Sequence, residues 1–328
     1  MKTMSAQPDQ TTDQEAEEQS VPIIDVFVKL SQVTAAVRQI MRLMKSQRPG
    51  QENRCMCMIG PTGIGKSAVL NHTFAGEMYQ QVRRPEGFFS PIIRIDARPN
   101  ITTKGIAELL LVELKDEKPS RGTEHDMVER VFKQLKKQKT CLIIIDEAQC
   151  LASKGYHASD FLKHLLNKGG CPLLLVGLGP TEDLLDLNSQ LKGRSLATVM
   201  LPAFDYTKEK QRDEWRGLLK KLQAEVKKLQ GPIDLSGQAV AAALNFATRG
   251  LLRELRELLD EAIDIADQRE GKITMEALAD AFDRRRSKFT KHFVNPFRGQ
   301  DLPEVWKPAG MFEGADQSKI AKRKTAAE

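Results

Sequence analysis

The feature that most constrains this chain is an eight-residue motif at residues 60–67, which reads Gly-Pro-Thr-Gly-Ile-Gly-Lys-Ser. Apolar residues predict a strand over 54–59 before it, and a helix is predicted over 66–79 after it. A glycine-rich loop between a strand and a helix cradles phosphate groups with its backbone N–H groups. In this context the motif predicts an α/β fold that binds a nucleoside triphosphate.

A second motif follows the apolar segment 141–145, which ends in Asp146 and Glu147. We expect Lys66 to reach the β- and γ-phosphates, and Ser67 and Asp146 to hold Mg²⁺, partly through water. Glu147 can orient water for attack on the γ-phosphate, so the pair predicts hydrolysis. The predicted nucleotide-binding residues are Gly60, Pro61, Thr62, Gly63, Ile64, Gly65, Lys66, Ser67, Ala68 and Asp146.

Composition sets the broad class of the protein. The chain has 328 residues and a net charge of +6, and it lacks an apolar run near the about 20 residues of a membrane span. Its polar N-terminus does not resemble a signal peptide, so we expect a cytoplasmic protein that makes no membrane contact. The five cysteines, at 55, 57, 141, 150 and 171, show no Cys-x-x-Cys spacing and are interpreted as small core residues.

The chain divides into four predicted parts. Residues 1–20, with a net charge of −4, predict a disordered acidic tail. Residues 21–203 alternate predicted helices and strands after an N-terminal helix, which favours a parallel sheet flanked by helices. Residues 204–287 contain only helical patterns and predict a small helical lid, whereas 288–328 predict a basic, extended C-terminal tail.

Individual elements follow from hydrophobic periodicity. Strands are predicted at 54–59, 91–96, 141–145, 172–176 and 196–201. Helices are predicted at 22–44, 66–79, 101–115, 123–138, 158–168, shortly after Pro180, and at 207–229, 236–247, 250–269 and 274–287.

This organisation resembles the AAA+ ATPases, a family of ATP- and Mg²⁺-dependent enzymes with a P-loop α/β core and an α-helical lid. The segment 188–194, followed by a strand and Leu-Pro-Ala-Phe, is similar to the part of that family that carries an arginine reaching a neighbour's ATP site. The segment 248–255 is similar to the family's second sensor helix. The resemblance implies catalytic roles for Arg194, in a neighbouring subunit's site, and for Arg253, at the γ-phosphate.

Within that family the chain resembles the TniB/TnsC group, AAA+ regulators of DNA transposition. Similar features are Asp-Glu-Ala-Gln at 146–149, Leu-Leu-Val-Gly at 174–177 and Leu-Pro-Ala-Phe at 201–204, and the total length is similar to the TnsC proteins of CRISPR-associated transposons. The resemblance implies self-assembly as a ring or filament on double-stranded DNA, with transposase subunits and a TniQ-type target-selection protein as partners. Relatives carry a polar first-sensor residue where this chain has 177–179, Gly-Leu-Gly, so that role is absent or is taken by Thr181.

The DNA contacts of that group come largely from the region after the second strand. Here this region predicts four DNA-binding residues, Arg98, Thr102, Thr103 and Lys104. Hydroxyl donors and cations at a helix N-terminus suit phosphate oxygens and lack the planar groups of base readout, so we expect salt-sensitive, sequence-independent binding. Lys154, Tyr156 and the basic clusters at 284–288 and 322–324 are weaker candidates.

Each candidate residue also has an ordinary structural interpretation. Arg194 can neutralise Asp186 or Glu182, and Arg253 can pair with Glu257 one helical turn on. Asn100, Thr102 and Thr103 can simply cap the following helix.

Other functions are compatible with parts of this sequence. A protein-remodelling, secretion or signalling AAA+ ATPase that does not act on DNA is the main alternative, although 96–105 lacks the aromatic residue with which unfoldases grip a polypeptide. A scaffold that binds ATP without hydrolysing it is a further possibility. A small-molecule kinase is disfavoured, because no acceptor pocket is evident.

Overall fold

The computed structural model describes residues 23, 28–47, 51–152, 156–269, 271–286, 294–299, 302 and 307–311. The predicted acidic tail, Lys154, the side chain of Tyr156, the cluster at 322–324 and most of the C-terminal tail lie outside these residues.

The helices are α1 (Ser31–Lys45), α2 (Lys66–Thr73), α3 (Thr103–Glu113), α4 (Glu124–Lys137), α5 (Gln149–Ala152), α6 (Tyr156–Lys168), α7 (Asp183–Asp186), α8 (Ser189–Gly193), α9 (Glu209–Glu225), α10 (Gln238–Thr248), α11 (Leu252–Gln268) and α12 (Met275–Arg286). The strands are β1 (Cys55–Ile59), β2 (Val82–Arg84), β3 (Gly87–Phe89), β4 (Ile92–Asp96), β5 (Leu142–Asp146), β6 (Leu173–Gly177) and β7 (Val199–Met200).

Five strands form the predicted parallel sheet, in the order β4-β5-β6-β1-β7. Ile59 pairs with Gly177, and Asp96 pairs with Asp146, so the strands end at nearly the same level. The carboxyl ends of parallel strands meet at one edge of a sheet, where ligands bind in such folds. That edge carries the loop 60–65, Asp146 and Gly177.

Both faces of the sheet are covered, which explains why its strands read as continuous apolar runs. Alternate residues of β1, β5 and β6 face α1, α2 and the helical lid on one side, and α3 to α8 on the other. Three cysteines, Cys55, Cys57 and Cys171, are fully buried as predicted. Burial raises the pKa of the Cys55 and Cys171 thiols to about 12, so these thiols stay protonated at neutral pH.

The lid comprises α9 to α12 and packs on the same apolar cluster as α1 and α2. Trp215 anchors it: the side chain is fully buried, its indole N–H donates to the Ala241 carbonyl at 3.0 Å, and its ring lies 5.3 Å from Phe204. Gly250, at φ +73°, joins α10 to α11 and accepts a hydrogen bond from the Phe204 N–H. A side chain at 250 would collide with the Phe204 backbone, so the close contact between the lid and the core requires glycine at this position.

We expect Trp215→Ala to lower the free energy of unfolding by about 3–4 kcal/mol, because it removes a buried ring and leaves a cavity. Urea unfolding followed by circular dichroism measures this value. Met78→Ala serves as the control, since Met78 is 71% exposed and its loss should cost less than about 0.5 kcal/mol. A loss below about 1 kcal/mol for Trp215→Ala would contradict the anchoring of the lid described here.

The structure differs from the sequence predictions in several elements. The helix expected over 22–44 begins at Ser31, and the helix expected over 66–79 ends at Thr73 and is followed by a short 3-10 turn. An antiparallel hairpin of β2 and β3 was not predicted. Its strands have three residues each and lie at the surface, so they lack the alternating apolar pattern that identifies a half-buried strand.

Two described segments of the expected C-terminal tail pack against the protein. Buried Asn295 donates to the Ala279 carbonyl at 2.9 Å, and buried Phe297 stacks edge to face on Phe282 of α12. Further on, the Ala309 N–H donates to the Arg249 carbonyl at 3.0 Å. The Met311 carbonyl accepts from the Gly179 N–H at 3.1 Å, so 294–299 packs on the lid, whereas 307–311 contacts both the lid and the end of β6.

Candidate nucleotide-binding site

The loop 60–65 has the backbone shape that a phosphate cradle needs. Gly63 and Gly65 adopt φ of +83° and +99°, values that strain residues with side chains. Helix α2 begins directly at Lys66, which leaves the N–H groups of its first turn directed at this loop. The loop and the helix N-terminus together form an anion-binding concavity at the carboxyl edge of the sheet.

Lys66 lies inside that concavity. The residue is only 9% exposed, and its Nζ donates to the carbonyl oxygens of Gly60 at 2.7 Å and Pro61 at 3.1 Å. Burial lowers the pKa of Lys66, an effect that the charges of Glu147 and Asp146 oppose. Among the described residues no carboxylate forms a direct ion pair with Lys66, and a phosphate beside this ammonium would supply one.

We therefore expect ATP to stabilise the folded protein. At 100 times its Kd, a ligand that binds only the folded state adds about 2.7 kcal/mol of stability. For a chain of 328 residues, that raises Tm by about 4 °C, which a thermal shift assay can measure. Lys66→Ala is the control and should remove the shift. An equal shift in that variant, or none in the unaltered protein, would count against the site.

Asp146 and Ser67 converge on one cationic group, the guanidinium of Arg94. Arg94 lies on β4 and contacts Asp146 Oδ2 at 2.6 Å, Ser67 Oγ at 3.3 Å and Asn71 Oδ1 at 3.1 Å. The carboxylate is buried, with a side-chain exposure of 7%. Because a single cation reaches both oxygens, this hard oxygen pair fits the role of Mg²⁺ ligands.

Glu147 follows the buried end of β5 and is exposed at the site. Its φ of +52° lies in the left-handed region, which turns the side chain away from the direction of the strand. Its N–H donates to Asp146 Oδ1 at 3.0 Å, and its carboxylate accepts a hydrogen bond from the Gln149 amide. The Gln149 amide contacts Oε2 only, and among the described residues Oε1 accepts no hydrogen bond, which makes it suitable for orienting water.

Arg253 brings the lid to the phosphate loop. Its N–H donates to the Gly63 carbonyl at 2.9 Å, and its side chain packs so closely on Gly63 that a Cβ there would lie 2.9 Å from Arg253 Cβ. The alternative pairing with Glu257 is not seen; Glu257 accepts instead from Arg285 at 2.7 Å. Within the described ranges, the Arg253 side chain lies on the loop and makes no ion pair.

Arg194 lies at the opposite edge of the sheet. Its carbonyl accepts from the N–H of Cys55, the first residue of β1, whereas the phosphate loop follows the last residue of that strand. Five strand residues separate the two by about 15 Å. Its guanidinium pairs with Glu52 at 2.6 Å and contacts Asn167, so neither of its expected partners, Asp186 or Glu182, is used.

The four predicted DNA-binding residues stay together at the start of α3. Thr102 caps this helix by accepting from the Gly105 N–H at 3.1 Å, which confirms the capping interpretation for that residue. Arg98 and Lys104 are both exposed, and within the described part of the chain neither pairs with a carboxylate. The two cations are therefore available to a ligand.

Comparison with known proteins identifies the family. The model of the bacterial TniB protein family matches residues 22–206, which is more than half of the chain. The chain belongs to the TniB family. The match spans the phosphate loop, Asp146, Glu147 and Arg194. No curated protein sequence gives a significant match to this TniB-family chain.

Solved structures share the fold of this TniB-family chain. The ORC2 protein of Aeropyrum pernix, in its ADPNP–ADP complexes, aligns with a TM-score of 0.57 at 16% identity, covering 81% of this chain and 70% of that one. The ORC1 protein of the same organism, in complex with DNA, aligns with a TM-score of 0.58 at 20% identity over 80% and 67%. Drosophila ORC bound to DNA aligns with a TM-score of 0.53 at 15% identity over 86% and 70%. The chain thus has the P-loop AAA+ fold with a C-terminal helical region.

In this TniB-family chain, sequence reasoning missed two residues of the site, Arg94 and Gln149. Arg94 carried a signal, since it stands alone in the middle of the otherwise apolar run Ile92–Ile95. Gln149 carried no signal beyond its place in the Asp-Glu-Ala-Gln motif, because its two partners, Glu147 and Leu178, follow two different strands of the sheet. Across the described residues, none of the helices combines the length and apolarity that a membrane crossing demands.

Proposed function

We propose that this protein is an ATP-dependent, DNA-binding AAA+ regulator of DNA transposition. One observation carries the proposal: in a TniB-family chain, the lid residue Arg253 lies on the same phosphate loop that Asp146 and Glu147 face. A nucleotide held there contacts both parts of the protein at once. Its γ-phosphate can therefore set the position of the lid relative to the core, which gives nucleotide state control over assembly.

Hydrolysis is assigned to residues from the loop, the sheet and the lid. Lys66 and the N–H groups of the loop bind the β- and γ-phosphates, and Arg253 binds the γ-phosphate from the lid. Glu147 orients and deprotonates the attacking water. Ser67 and Asp146 hold Mg²⁺, which neutralises developing phosphate charge when bound. For Ser67 and Asp146 to do so, Arg94 must release both oxygens.

The position of Arg194 supports self-assembly. This residue is about 15 Å from its own phosphate loop, so a catalytic role for it requires a nucleotide bound by another copy of the chain. An arginine supplied by a neighbour stabilises the charge that develops in phosphoryl transfer. The proposed assembly is a ring or helical filament. At each interface between two copies, one copy binds ATP and the other supplies Arg194.

The proposed assembly forms on double-stranded DNA. Arg98 and Lys104 offer exposed cations, with no carboxylate partner among the described residues, beside Thr102 and Thr103 at a helix N-terminus; this combination suits phosphate oxygens. Two structural neighbours, ORC1 of Aeropyrum pernix and Drosophila ORC, are described bound to DNA, which supports DNA as the ligand. From the family we infer that transposase subunits and a TniQ-type protein are further partners, as for TnsC of CRISPR-associated transposons.

The ATPase rate of the purified chain tests this proposal. Measured per subunit, the rate should rise with protein concentration and rise further when duplex DNA is added, because complete sites form only between assembled copies. A rate that ignores both dilution and duplex would contradict assembly on DNA. A complete lack of ATP hydrolysis would contradict the enzymatic role itself.

We expect the double variant Arg98→Ala with Lys104→Ala to weaken duplex binding equally for all sequences. Each lost phosphate contact lowers the slope of log K against log salt by about 0.9, so two contacts lower it by about 2. Fluorescence anisotropy with a labelled duplex at several salt concentrations measures the slope. Lys118→Ala with Arg121→Ala removes the same charge from the exposed loop between α3 and α4 and should leave the slope nearly unchanged. If the two double variants lower the salt slope equally, the duplex does not bind specifically at Arg98 and Lys104.

A further inference from the structure

Gln149 connects the exposed Glu147 carboxylate to the end of β6. Its Nε2 donates to Glu147 Oε2, and its Oε1 accepts from the Leu178 N–H at 3.1 Å. A backbone N–H can only donate, and an ionised carboxylate can only accept, so these partners fix which amide atom is which. The side chain is half-buried, and both of its ends are engaged.

The end of β6 is shaped to receive this amide. Gly177 is the last residue of the strand, and a side chain there would overlap both Gln149 Oε1 and Thr181 Oγ1. Thr181 is fully buried, but among the described residues its hydroxyl has no hydrogen-bond partner. The polar group that reaches Glu147 at this point therefore comes from Gln149 and not from β6 or from Thr181.

We propose that Gln149 is the positioning residue that aims the Glu147 carboxylate in ATP hydrolysis. The left-handed backbone of Glu147 turns its side chain outward, and the amide holds one carboxylate oxygen while leaving the other for water. Because Gln149 is itself tied to the Leu178 N–H, the carboxylate is held at a fixed place relative to the sheet. Small displacements of a reacting group cost up to about 10²-fold in rate. This inference rests on the proposed ATPase function.

Kinetics of Gln149 variants test the inference. We expect Gln149→Ala to lower kcat for ATP about 10- to 100-fold while the Kd of a slowly hydrolysed ATP analogue stays within about twofold, since Gln149 does not touch the phosphate loop. Gln149→Glu keeps the shape but loses the donor, so its loss should be at least as large. Gln149→His keeps an N–H donor and should recover most of the rate. Circular dichroism verifies that each variant folds.

A double-mutant cycle separates positioning from a general structural effect. If Gln149 acts through Glu147, adding Gln149→Ala to Glu147→Gln should change the residual rate less than about twofold. Thr181→Val tests the competing interpretation, in which Thr181 takes the first-sensor role: it fills the same space beside Gly177 but removes the hydroxyl, for which the described residues offer no hydrogen-bond partner. If Gln149 positions Glu147, the rate of Thr181→Val should stay within about twofold. Slower hydrolysis by Gln149→Ala should also prolong its binding to duplex DNA in ATP.

Four outcomes would overturn the inference. A kcat for Gln149→Ala within threefold of the unaltered protein removes the positioning role. A further tenfold loss in the Glu147→Gln background shows that Gln149 acts independently of Glu147. Loss of rate in Thr181→Val with a normal Gln149→Ala transfers the role to Thr181. An unaltered protein that hydrolyses no ATP overturns the proposed function as well, whereas the first three outcomes leave that function standing.

Discussion

Glu147→Gln should lower the ATPase rate about 10²- to 10⁴-fold while nucleotide binding is kept. The amide has nearly the size of the carboxylate but cannot accept a proton from water, and removal of a positioned general base has effects of about this size. ATP should still bind, because the loop 60–65, Lys66 and Arg253 are unchanged. The assembly should therefore form with ATP and then persist on duplex DNA.

Two measurements check this prediction. Phosphate release gives the rate, and the dissociation of labelled duplex after dilution in ATP gives the lifetime of the assembly. Glu117→Gln makes the same chemical change on the exposed loop between α3 and α4 and should alter neither value. If the Glu147→Gln variant leaves duplex as fast as the unaltered protein, then hydrolysis does not release the assembly, and ATP acts only as a structural ligand.

Arg194→Ala should lower the rate of the assembled protein about 10³-fold, the lower end of the range for an arginine supplied by a neighbour. ATP binding by single copies should be unaffected, because Arg194 lies at the far edge of the sheet from its own phosphate loop. The charge control is Lys192→Ala, which removes a nearby exposed cation paired with Asp186. Glu52→Gln breaks the same intramolecular ion pair but keeps the arginine, and it should retain activity.

Mixing two inactive variants makes the test of Arg194 specific. Lys66→Ala subunits lack a working phosphate loop but retain Arg194, and Arg194→Ala subunits have the reverse defect. A mixture should recover activity at interfaces where the intact phosphate loop of one copy meets the intact Arg194 of the other. Failure of every mixture to recover, although copies of the two variants still associate with each other in ATP, would place Arg194 outside the catalytic site.

The sequence predicted most of the sheet because its strands are buried on both faces and carry unbroken apolar runs. Ile143 and Ile144 point to opposite sides of β5, yet both are buried, so the run needs no alternation to be recognised. The loop 60–67 was equally predictable, since its glycines and lysine are required by local backbone geometry. The short hairpin β2–β3 escaped prediction because nothing in its few exposed residues distinguishes a strand from a loop.

Residues whose partners come from distant parts of the chain could not be predicted. Gln149 meets Leu178, and Arg94 meets Asp146, only because the order of strands in the sheet places them together. Arg194 illustrates the same limit: the expected partners lay nearby in sequence, but Glu52 reaches it from the segment before β1. Spacing along a helix or strand predicts pairs of residues that are close in sequence. It does not predict contacts between residues that are distant in sequence.

Electron microscopy of the purified chain with duplex DNA can show whether ATP makes copies of the chain assemble around DNA. With a slowly hydrolysed ATP analogue and duplex, we expect rings or helical filaments that enclose the double helix. These assemblies should not form without nucleotide, nor should they form with Lys66→Ala. A reconstruction should place Arg194 of one copy at the nucleotide of the next. Single copies bound to duplex in every condition, or assemblies that form equally well without nucleotide, would contradict ATP-dependent assembly around DNA.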